Sequence, residues 1–277
     1  MSGIDSFVRE FAIIKSFKET GQKQVYLSNH PKFGQVVLKI GKSPSEQRLK
    51  RAKREIEIQR SLESPFYPKI FDFLVFENFQ FVMVEEFIES QPLSCCPERF
   101  KTPKSILGLL NSLVFGLNLL WTKKVIHRDI KPDNILIKKD YSPVIIDLGI
   151  ILAIDKTDLT HPFAVRGPCT PAYSSPEQLI NRRAEIDHRT DQFILGIDMM
   201  QLIAAGHHPF DPQSVRSGNS IPENIIKGAW NREPLEANPF VRMKPLMCKL
   251  LAPEPYQRFR TPDQFKREIL NCMEAYE

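Results

Sequence analysis

The hydrophobic pattern of this chain changes near Ser90, and that change restricts the fold more than any other feature of the sequence. Before it, short runs of β-branched and aromatic residues predict strands, and one helix is predicted from near Ser43 and Pro44 to about Leu62. The predicted strands are Ala12 to Phe17, Gln24 to Leu27, Gln35 to Ile40, Phe71 to Phe76 and Phe79 to Glu85. The first ninety residues therefore predict a small sheet-rich lobe with one helix.

Helical spacing dominates the rest of the chain. Thr102 and Pro103 form a typical helix start, and apolar residues then recur at helical spacing up to Leu120. The other predicted elements are helices over Asp191 to Ala205, Val241 to Leu251 and Thr261 to Ala275, short strands at Ile135 to Ile137 and Val144 to Ile146, and a Pro-rich surface loop at Asp211 to Asn238. This part predicts a larger, mainly helical lobe.

The composition is that of a folded globular protein. The chain has 277 residues, of which 42% are hydrophobic and 26% charged, and a formal net charge of +5. That mild positive excess suits a phosphate-bearing ligand or an acidic partner, but does not by itself indicate a nucleic-acid binder. The five cysteines are odd in number and lack C-x-x-C spacing, which favours the cytosol. No signal peptide is expected, because the amino terminus lacks a basic start and an apolar run, and no membrane span is expected, because polar residues interrupt the longest apolar stretch.

One short segment between the lobes carries recognisable chemistry. His127 to Asn134 reads H-R-D-I-K-P-D-N, and Asp147 follows thirteen residues after Asn134. Phosphoryl transfer to a hydroxyl needs a carboxylate to accept the proton, a cation on the transferred phosphate and oxygen ligands for Mg²⁺. Asp129, Lys131, Asn134 and Asp147 supply these groups.

This segment resembles the catalytic loop and metal-binding turn of the eukaryotic-type serine/threonine protein kinases. A helix-to-strand turn that merely carries charges would have to match eight positions in order and then Asp147-Leu148-Gly149. The resemblance implies an α+β, bilobal fold in a single kinase domain over 1–277, with the small antiparallel lobe at about 1–88 and the helical lobe at 89–277. It also implies ATP and Mg²⁺, with Mn²⁺ as an alternative metal.

The resemblance assigns roles to individual residues. Asp129 would accept the proton and Lys131 would contact the γ-phosphoryl, while Asn134 and Asp147 would bind the metal. Val36 to Lys39 is similar to the family's V-A-I-K strand, which places Lys39 on the inner phosphates, and Arg54-Glu55-Ile56 resembles the helix signature that pairs Glu55 with this lysine. The implied adenine contacts are the backbone at Glu86 and Ile88 and the side chains of Val25, Val37 and Leu136.

Later segments match the family as well. Thr170 to Glu177 resembles the end of an activation segment, whose Glu177 is expected to pair with Arg258. Asp191 is expected to hold the catalytic-loop backbone as a scaffold residue. Lys131 and Thr170 resemble the residues that the serine/threonine branch of the family has at these two positions. The resemblance also implies that Arg128 could pair with a phosphorylated loop residue; the candidate sites are Thr157 and Thr160, although both threonines being ordinary loop residues is equally compatible with the sequence.

The sequence departs from the family most clearly in the loop that covers the phosphates. Lys18, Thr20 and Lys23 stand where three glycines belong, and Gly21 is the glycine that remains. We hypothesise that Lys18 or Lys23 compensates with positive charge for lost amide contacts. Three smaller departures are Leu148 in place of phenylalanine, a polar Gln59 in a normally apolar column, and Glu85 at the position that guards the back pocket.

The leading hypothesis is an ATP-dependent protein serine/threonine kinase that acts on a protein hydroxyl and also autophosphorylates. A pseudokinase that holds a nucleotide or a partner is the first alternative, favoured by the missing glycines and Gln59. A small-molecule phosphotransferase is the second alternative, and the Ser-Pro-Glu segment disfavours it. We expect a cytoplasmic protein without a membrane segment, with a protein substrate and with a regulatory partner acting in trans.

Overall fold

The computed structural model describes residues 3–17, 23–43, 45–147 and 170–277, although a few side chains inside these ranges are not described. The chain divides into two compact units, Met1–Glu89 and Ser90–Glu277. This division lies one residue after the boundary expected from the sequence. The first unit is an antiparallel sheet with two helices. The second unit is mainly helical.

The first unit is built on a five-stranded antiparallel sheet with the strand order β1-β2-β3-β5-β4. Its elements are α1 (Gly3–Val8), β1 (Ala12–Ser16), β2 (Lys23–His30), β3 (Gly34–Lys42), α2 (Glu46–Arg60), β4 (Ile70–Val75) and β5 (Gln80–Glu86). All five predicted strands are therefore confirmed, as is the helix after Ser43. The short helix α1 was not predicted.

The core of the first unit lies on one face of the two central strands. Val36 and Leu38 on β3 alternate with more exposed neighbours, and Val82 and Val84 on β5 do the same, so that all four face one buried cluster. Ile4 on α1 joins this cluster, together with partly buried aromatic residues. The helix at the start of the chain is therefore held by apolar packing on the sheet.

The second unit consists of helices and a three-stranded antiparallel sheet in the order β6-β7-β8. Its elements are β6 (Ser90–Pro92), α3 (Pro103–Trp121), β7 (Ile135–Lys138), β8 (Pro143–Ile145), α4 (Pro176–Leu179), α5 (His188–Ile203), α6 (Ile221–Lys227), α7 (Lys244–Leu250) and α8 (Pro262–Glu274). The predicted strands β7 and β8 are confirmed. Strand β6 and helix α4 were missed.

Helix α3 forms where the sequence predicts it, for the predicted reason. The Thr102 side chain accepts a hydrogen bond from the backbone N–H of Ser105, Ser105 returns one to the Thr102 backbone, and Pro103 occupies the first turn. By length and composition α3 could cross a membrane, and 56% of that window is buried inside the structure. Its apolar side packs against α5 and α8.

Helix α5 begins three residues before the predicted start. Asp187 caps it by accepting a hydrogen bond from the backbone N–H of Arg189. Gly196 allows α5 to approach α7 closely, because a Cβ at this position would lie 2.9 Å from a methyl group of Leu251. The helix is buried on nearly all sides and so positions residues in the middle of the second unit.

The prediction of a loop over Asp211 to Asn238 is wrong in its middle. Helix α6 occupies part of this range, with a reciprocal capping box between Ser220 and Glu223 at its start. Gly228 ends the helix in the left-handed conformation, with φ of 64°. The helix predicted over Val241 to Leu251 is instead a 3₁₀ turn followed by α7.

Candidate active site

The backbone of the loop at 127–134 is fixed by a buried carboxylate at the start of α5. Asp191 accepts hydrogen bonds from the backbone N–H groups of His127 and Arg128, at 3.0 and 2.9 Å, and from the indole of Trp121 at 2.8 Å. Burial raises the pKa of Asp191, while these donors act in the opposite direction. The contacts agree with the scaffold role that the sequence indicates for Asp191.

Two ionisable side chains of this loop, His127 and Arg128, are buried. Burial lowers the pKa of His127 and thereby favours its neutral form. Burial also lowers the pKa of Arg128 to about 10, and its Nε has no hydrogen-bond partner among the described residues. Arg128 has a positive φ of 69°. Thr157 and Thr160, the proposed partners of Arg128 once phosphorylated, lie outside the described residues.

Three polar side chains meet at the Asp129 carboxylate. Lys131 Nζ lies 3.1 Å from Asp129 Oδ2 and also donates to Thr170 Oγ1 at 3.0 Å. The Asn134 amide donates to the backbone carbonyl and to Oδ2 of Asp129, at 2.8 and 3.0 Å. Thr170 Oγ1 lies 3.4 Å from Asp129 Oδ1. The structure therefore brings together two chain segments that are about forty residues apart.

Two residues with side-chain oxygens, Asn134 and Asp147, lie next to the paired ends of β7 and β8. Ile135 pairs with Ile145, and the Ile146 N–H donates to the Asn134 carbonyl at 2.9 Å, so that Asn134 and Asp147 lie at adjoining strand ends. In the described part of the chain, both side-chain hydrogen bonds of Asn134 are donated by Nδ2, and none is accepted by Oδ1. Asp147 is exposed, with φ of 58°.

These donors fit Mg²⁺ better than a softer metal. Mg²⁺ takes one or two carboxylate or amide oxygens and keeps several waters. Across residues 3–17, 23–43, 45–147 and 170–277 there is no group of three or more His, Cys, Asp or Glu side chains that could hold a metal ion. The Asn134 and Asp147 oxygens are thus the donor set on which a metal prediction can rest.

In the first unit, the predicted nucleotide-binding lysine has a partner that the sequence did not identify. Lys39 on β3 is buried, and its Nζ lies 2.7 Å from Oε2 of Glu85 on β5. Glu55, the partner implied by the resemblance, lies in α2, but its side chain is outside what the structure describes. The Lys39–Glu55 pairing therefore stays a prediction, and the Lys39–Glu85 ion pair is a new finding.

Gln59 is polar at a position where the family normally has an apolar residue, and its amide has a hydrogen-bond partner. Gln59 Nε2 donates to the backbone carbonyl of Pro68 at 3.0 Å. A partly buried amide without such a bond would cost free energy. Gln59 is therefore accommodated in this structure, which weakens it as an argument for an inactive protein.

The predicted pair near the end of the activation segment is present and buried. Arg258 Nη1 and Nη2 donate to the two carboxylate oxygens of Glu177, at 2.7 and 3.0 Å. Thr190 also donates to Glu177, and Arg258 donates to the backbone carbonyls of Ala252, Pro253 and Arg189. The pair joins α4 to the segment before α8, as expected for a structural contact.

The remaining predicted nucleotide contacts are placed as follows. Val25 lies opposite Lys39 in the sheet, and Val37 lies opposite Glu85. The Glu86 side chain accepts from the backbone N–H of Lys69 at 3.1 Å. Ile88 follows β5, and Leu136 lies on β7 in the second unit. Lys18, Thr20, Gly21 and the Lys23 side chain are outside the described part of the chain, as is Leu148.

Comparison with known proteins identifies the family. The family model described as "Protein kinase domain" matches residues 22–270, which is most of the chain. The chain belongs to this family, and its sheet-rich first unit and helical second unit are consistent with the bilobal kinase fold.

The curated relatives include bacterial and animal proteins. Serine/threonine-protein kinase PrkC of Bacillus subtilis is 27% identical over 248 residues, which cover 86% of this chain and 36% of that protein. Serine/threonine-protein kinase 36 of Pongo abelii is 29% identical over 262 residues, covering 92% of this chain and 19% of that protein. Serine/threonine-protein kinase pkn2 of Myxococcus xanthus is 27% identical over 258 residues, which cover 88% of this chain and 29% of that protein. The chain therefore spans little more than a third of these relatives at most.

Proposed function

We propose that this chain is an ATP-dependent protein serine/threonine kinase that transfers the γ-phosphoryl group of ATP to a protein hydroxyl. The observation that carries the proposal is the cluster of Lys131, Asn134 and Thr170 around Asp129. A carboxylate held in this way can orient a hydroxyl and accept its proton. Membership in the protein kinase family, and relatives named as serine/threonine kinases, support the same reaction.

In this mechanism each residue of the cluster has a separate task. Asp129 hydrogen-bonds the incoming hydroxyl and takes its proton as the oxygen attacks the γ-phosphorus, while the bond from that phosphorus to the β–γ bridging oxygen breaks and ADP leaves. Lys131 is a fixed cation that stabilises negative charge on the transferred group. Thr170 and Asp129 together fix the Lys131 ammonium, so that little reorganisation is needed during transfer. The ordering of these groups before the substrate arrives is the main contribution of the protein.

We propose that Asn134 Oδ1 and the Asp147 carboxylate hold Mg²⁺, with Mn²⁺ as a substitute. A metal held there would neutralise negative charge on the phosphates. The proposed task of Lys39 is to contact the inner phosphates, with Glu55 and the sheet holding its amine. Glu86 and Ile88 would bind the adenine through their backbone, while Val25, Val37 and Leu136 would pack on the ring, and Lys18, Thr20, Gly21 and Lys23 would cover the phosphates.

The alternatives are less favoured. The pseudokinase interpretation rested on the missing glycines and on Gln59, and Gln59 has a hydrogen-bond partner. The Glu177–Arg258 pair disfavours the small-molecule phosphotransferase, since such enzymes usually lack that segment.

We further propose a cytoplasmic location, autophosphorylation, and regulation by a partner acting in trans. Arg128 is a buried cation whose Nε has no hydrogen-bond partner among the residues that the structure describes, and a cation there suits a phosphorylated Thr157 or Thr160.

The acceptor preference is testable with three peptides that differ only in one residue. With Mg²⁺ and labelled ATP, we expect phosphate on the Ser and Thr peptides and at least tenfold less on the Tyr peptide. Mass spectrometry of each peptide and of the chain itself reports transfer and autophosphorylation. Transfer to Tyr at an equal rate would contradict the serine/threonine assignment. A chain that binds nucleotide but transfers to none of the peptides, nor to itself, would favour the pseudokinase.

A further inference from the structure

Glu85 is a buried acid at a position that the resemblance did not assign to catalysis. Its side chain is 7% exposed, that of Lys39 is 9% exposed, and Glu85 Oε2 lies 2.7 Å from Lys39 Nζ. This distance is that of a charge-assisted hydrogen bond. A carboxylate that is so deeply buried needs a cation or several donors close by.

The pairing of the strands explains why the two side chains meet. Lys39 lies directly opposite Met83, and Glu85 lies opposite Val37, so that Lys39 and Glu85 are diagonal neighbours on one face of the sheet. Strand β5 is itself flanked by β3 and β4, so Glu85 sits on a strand that is hydrogen-bonded on both sides. Its position is therefore set by the sheet and not by a helix or a loop.

The ion pair with Glu85 uses only part of the hydrogen-bonding capacity of Lys39. A lysine ammonium has three N–H donors, and the bond to Glu85 uses one of them. The carboxylate limits the rotation of a long, flexible side chain and thereby fixes the direction of the remaining donors. This arrangement positions the amine before any phosphate arrives.

We propose that Glu85 is a positioning residue for Lys39, which holds the lysine amine from within the sheet in addition to the glutamate expected on α2. The proposal deepens the proposed function, because it assumes that Lys39 contacts the phosphates of ATP. Its structural part, an energetic coupling between two buried charges, does not depend on activity. The two parts can therefore be tested separately.

The structural part is tested by thermal unfolding of Lys39→Met, Glu85→Met and the double variant. Each single variant removes one member of a buried ion pair and keeps the charge of the other, so we expect each melting temperature to fall by roughly 10 °C. The double variant should recover most of that loss, because two apolar side chains replace the pair. Lys42→Met, at the exposed end of β3, is the control and should change little. Additive losses in the double variant would overturn the coupling.

The catalytic part is tested with Glu85→Gln, which keeps the size of the side chain and removes its charge. We expect kcat/KM for ATP to fall about 10- to 100-fold, mostly through a higher KM for ATP, with the KM for the peptide unchanged. Glu85→Asp should recover part of the loss, and Glu77→Gln, an exposed glutamate just before β5, should have no effect. Unchanged or increased kcat/KM in Glu85→Gln would overturn the positioning role.

The two tests separate the failure of this inference from failure of the proposed function. If the wild-type chain transfers no phosphate, the proposed function fails, and the melting temperatures still decide whether Glu85 and Lys39 are coupled. If the wild type is active but Glu85→Gln is equally active, the proposed function stands and the positioning role is wrong.

Discussion

Asp129→Asn is expected to lower the rate of phosphoryl transfer by about 10²- to 10⁴-fold, which is the usual contribution of a general base. The substitution keeps the shape of the side chain and an oxygen that can accept from Lys131 and Asn134, but it removes the group that takes the proton. Nucleotide affinity should change by less than about threefold, because other side chains make the proposed phosphate and metal contacts and the asparagine keeps an acceptor for Lys131 and Asn134. Single-turnover transfer and equilibrium titration with a nucleotide analogue measure the two quantities.

The matched control is Asp133→Asn, the same substitution four residues further along the loop. Asp133 is exposed and accepts from Ser94 at 2.5 Å, and within the described ranges its carboxylate has no hydrogen bond to the side chains around Asp129. Its loss should therefore leave transfer within about twofold of the wild-type rate, as for surface changes away from a site. Equal losses in the two variants would show that charge in this loop matters in general, and not the Asp129 carboxylate.

Removing either member of the Glu177–Arg258 pair is expected to destabilise the second unit by about 3–5 kcal/mol. Arg258→Ala would leave the Glu177 carboxylate buried and without its guanidinium, and would also remove hydrogen bonds to three backbone carbonyls. Arg258→Lys should lose less, since it keeps the charge but not the bidentate geometry. Urea unfolding monitored by tryptophan fluorescence measures the free energy of unfolding.

The chain offers an exposed pair of the same chemistry as a control. Arg182 Nη1 lies 3.0 Å from Glu254 Oε2, but both side chains are more than a third exposed. Solvent screens such a pair, so Arg182→Ala should change the free energy of unfolding far less than Arg258→Ala. A loss for Arg258→Ala no larger than that for Arg182→Ala would contradict the structural role of the buried pair.

Elements with strong local signals could be predicted from the sequence. Helix α3 has a capping threonine, a proline in its first turn and a sustained apolar stripe, and it begins where expected. Helix α6 was missed because its surroundings are polar and rich in proline. A signal was nevertheless present, since Ser220 and Glu223 have capping-box spacing and Gly228 follows the last turn. The short helix α1 has few turns, and its formation depends on packing against the sheet.

The candidate site divides in the same way. Asp129, Lys131 and Asn134 lie close together in the sequence and could be found as one motif. The Glu177–Arg258 contact could be expected from the family resemblance. The Lys39–Glu85 pair could not, because it depends on which strands are neighbours and on their register, and β3 and β5 are separated by α2 and β4.

The proposed function requires Lys39, Asn134 and Asp147 to bind one Mg²⁺–ATP complex. The most direct measurement is a crystal structure of the chain with Mg²⁺ and a non-hydrolysable ATP analogue. We predict Asn134 and Asp147 oxygens at about 2.1 Å from the metal and the Lys39 amine in hydrogen-bond contact with an inner phosphate. A structure in which the analogue is bound but the Lys39 amine and the Asp147 carboxylate lie on unrelated surfaces would contradict the proposed nucleotide site.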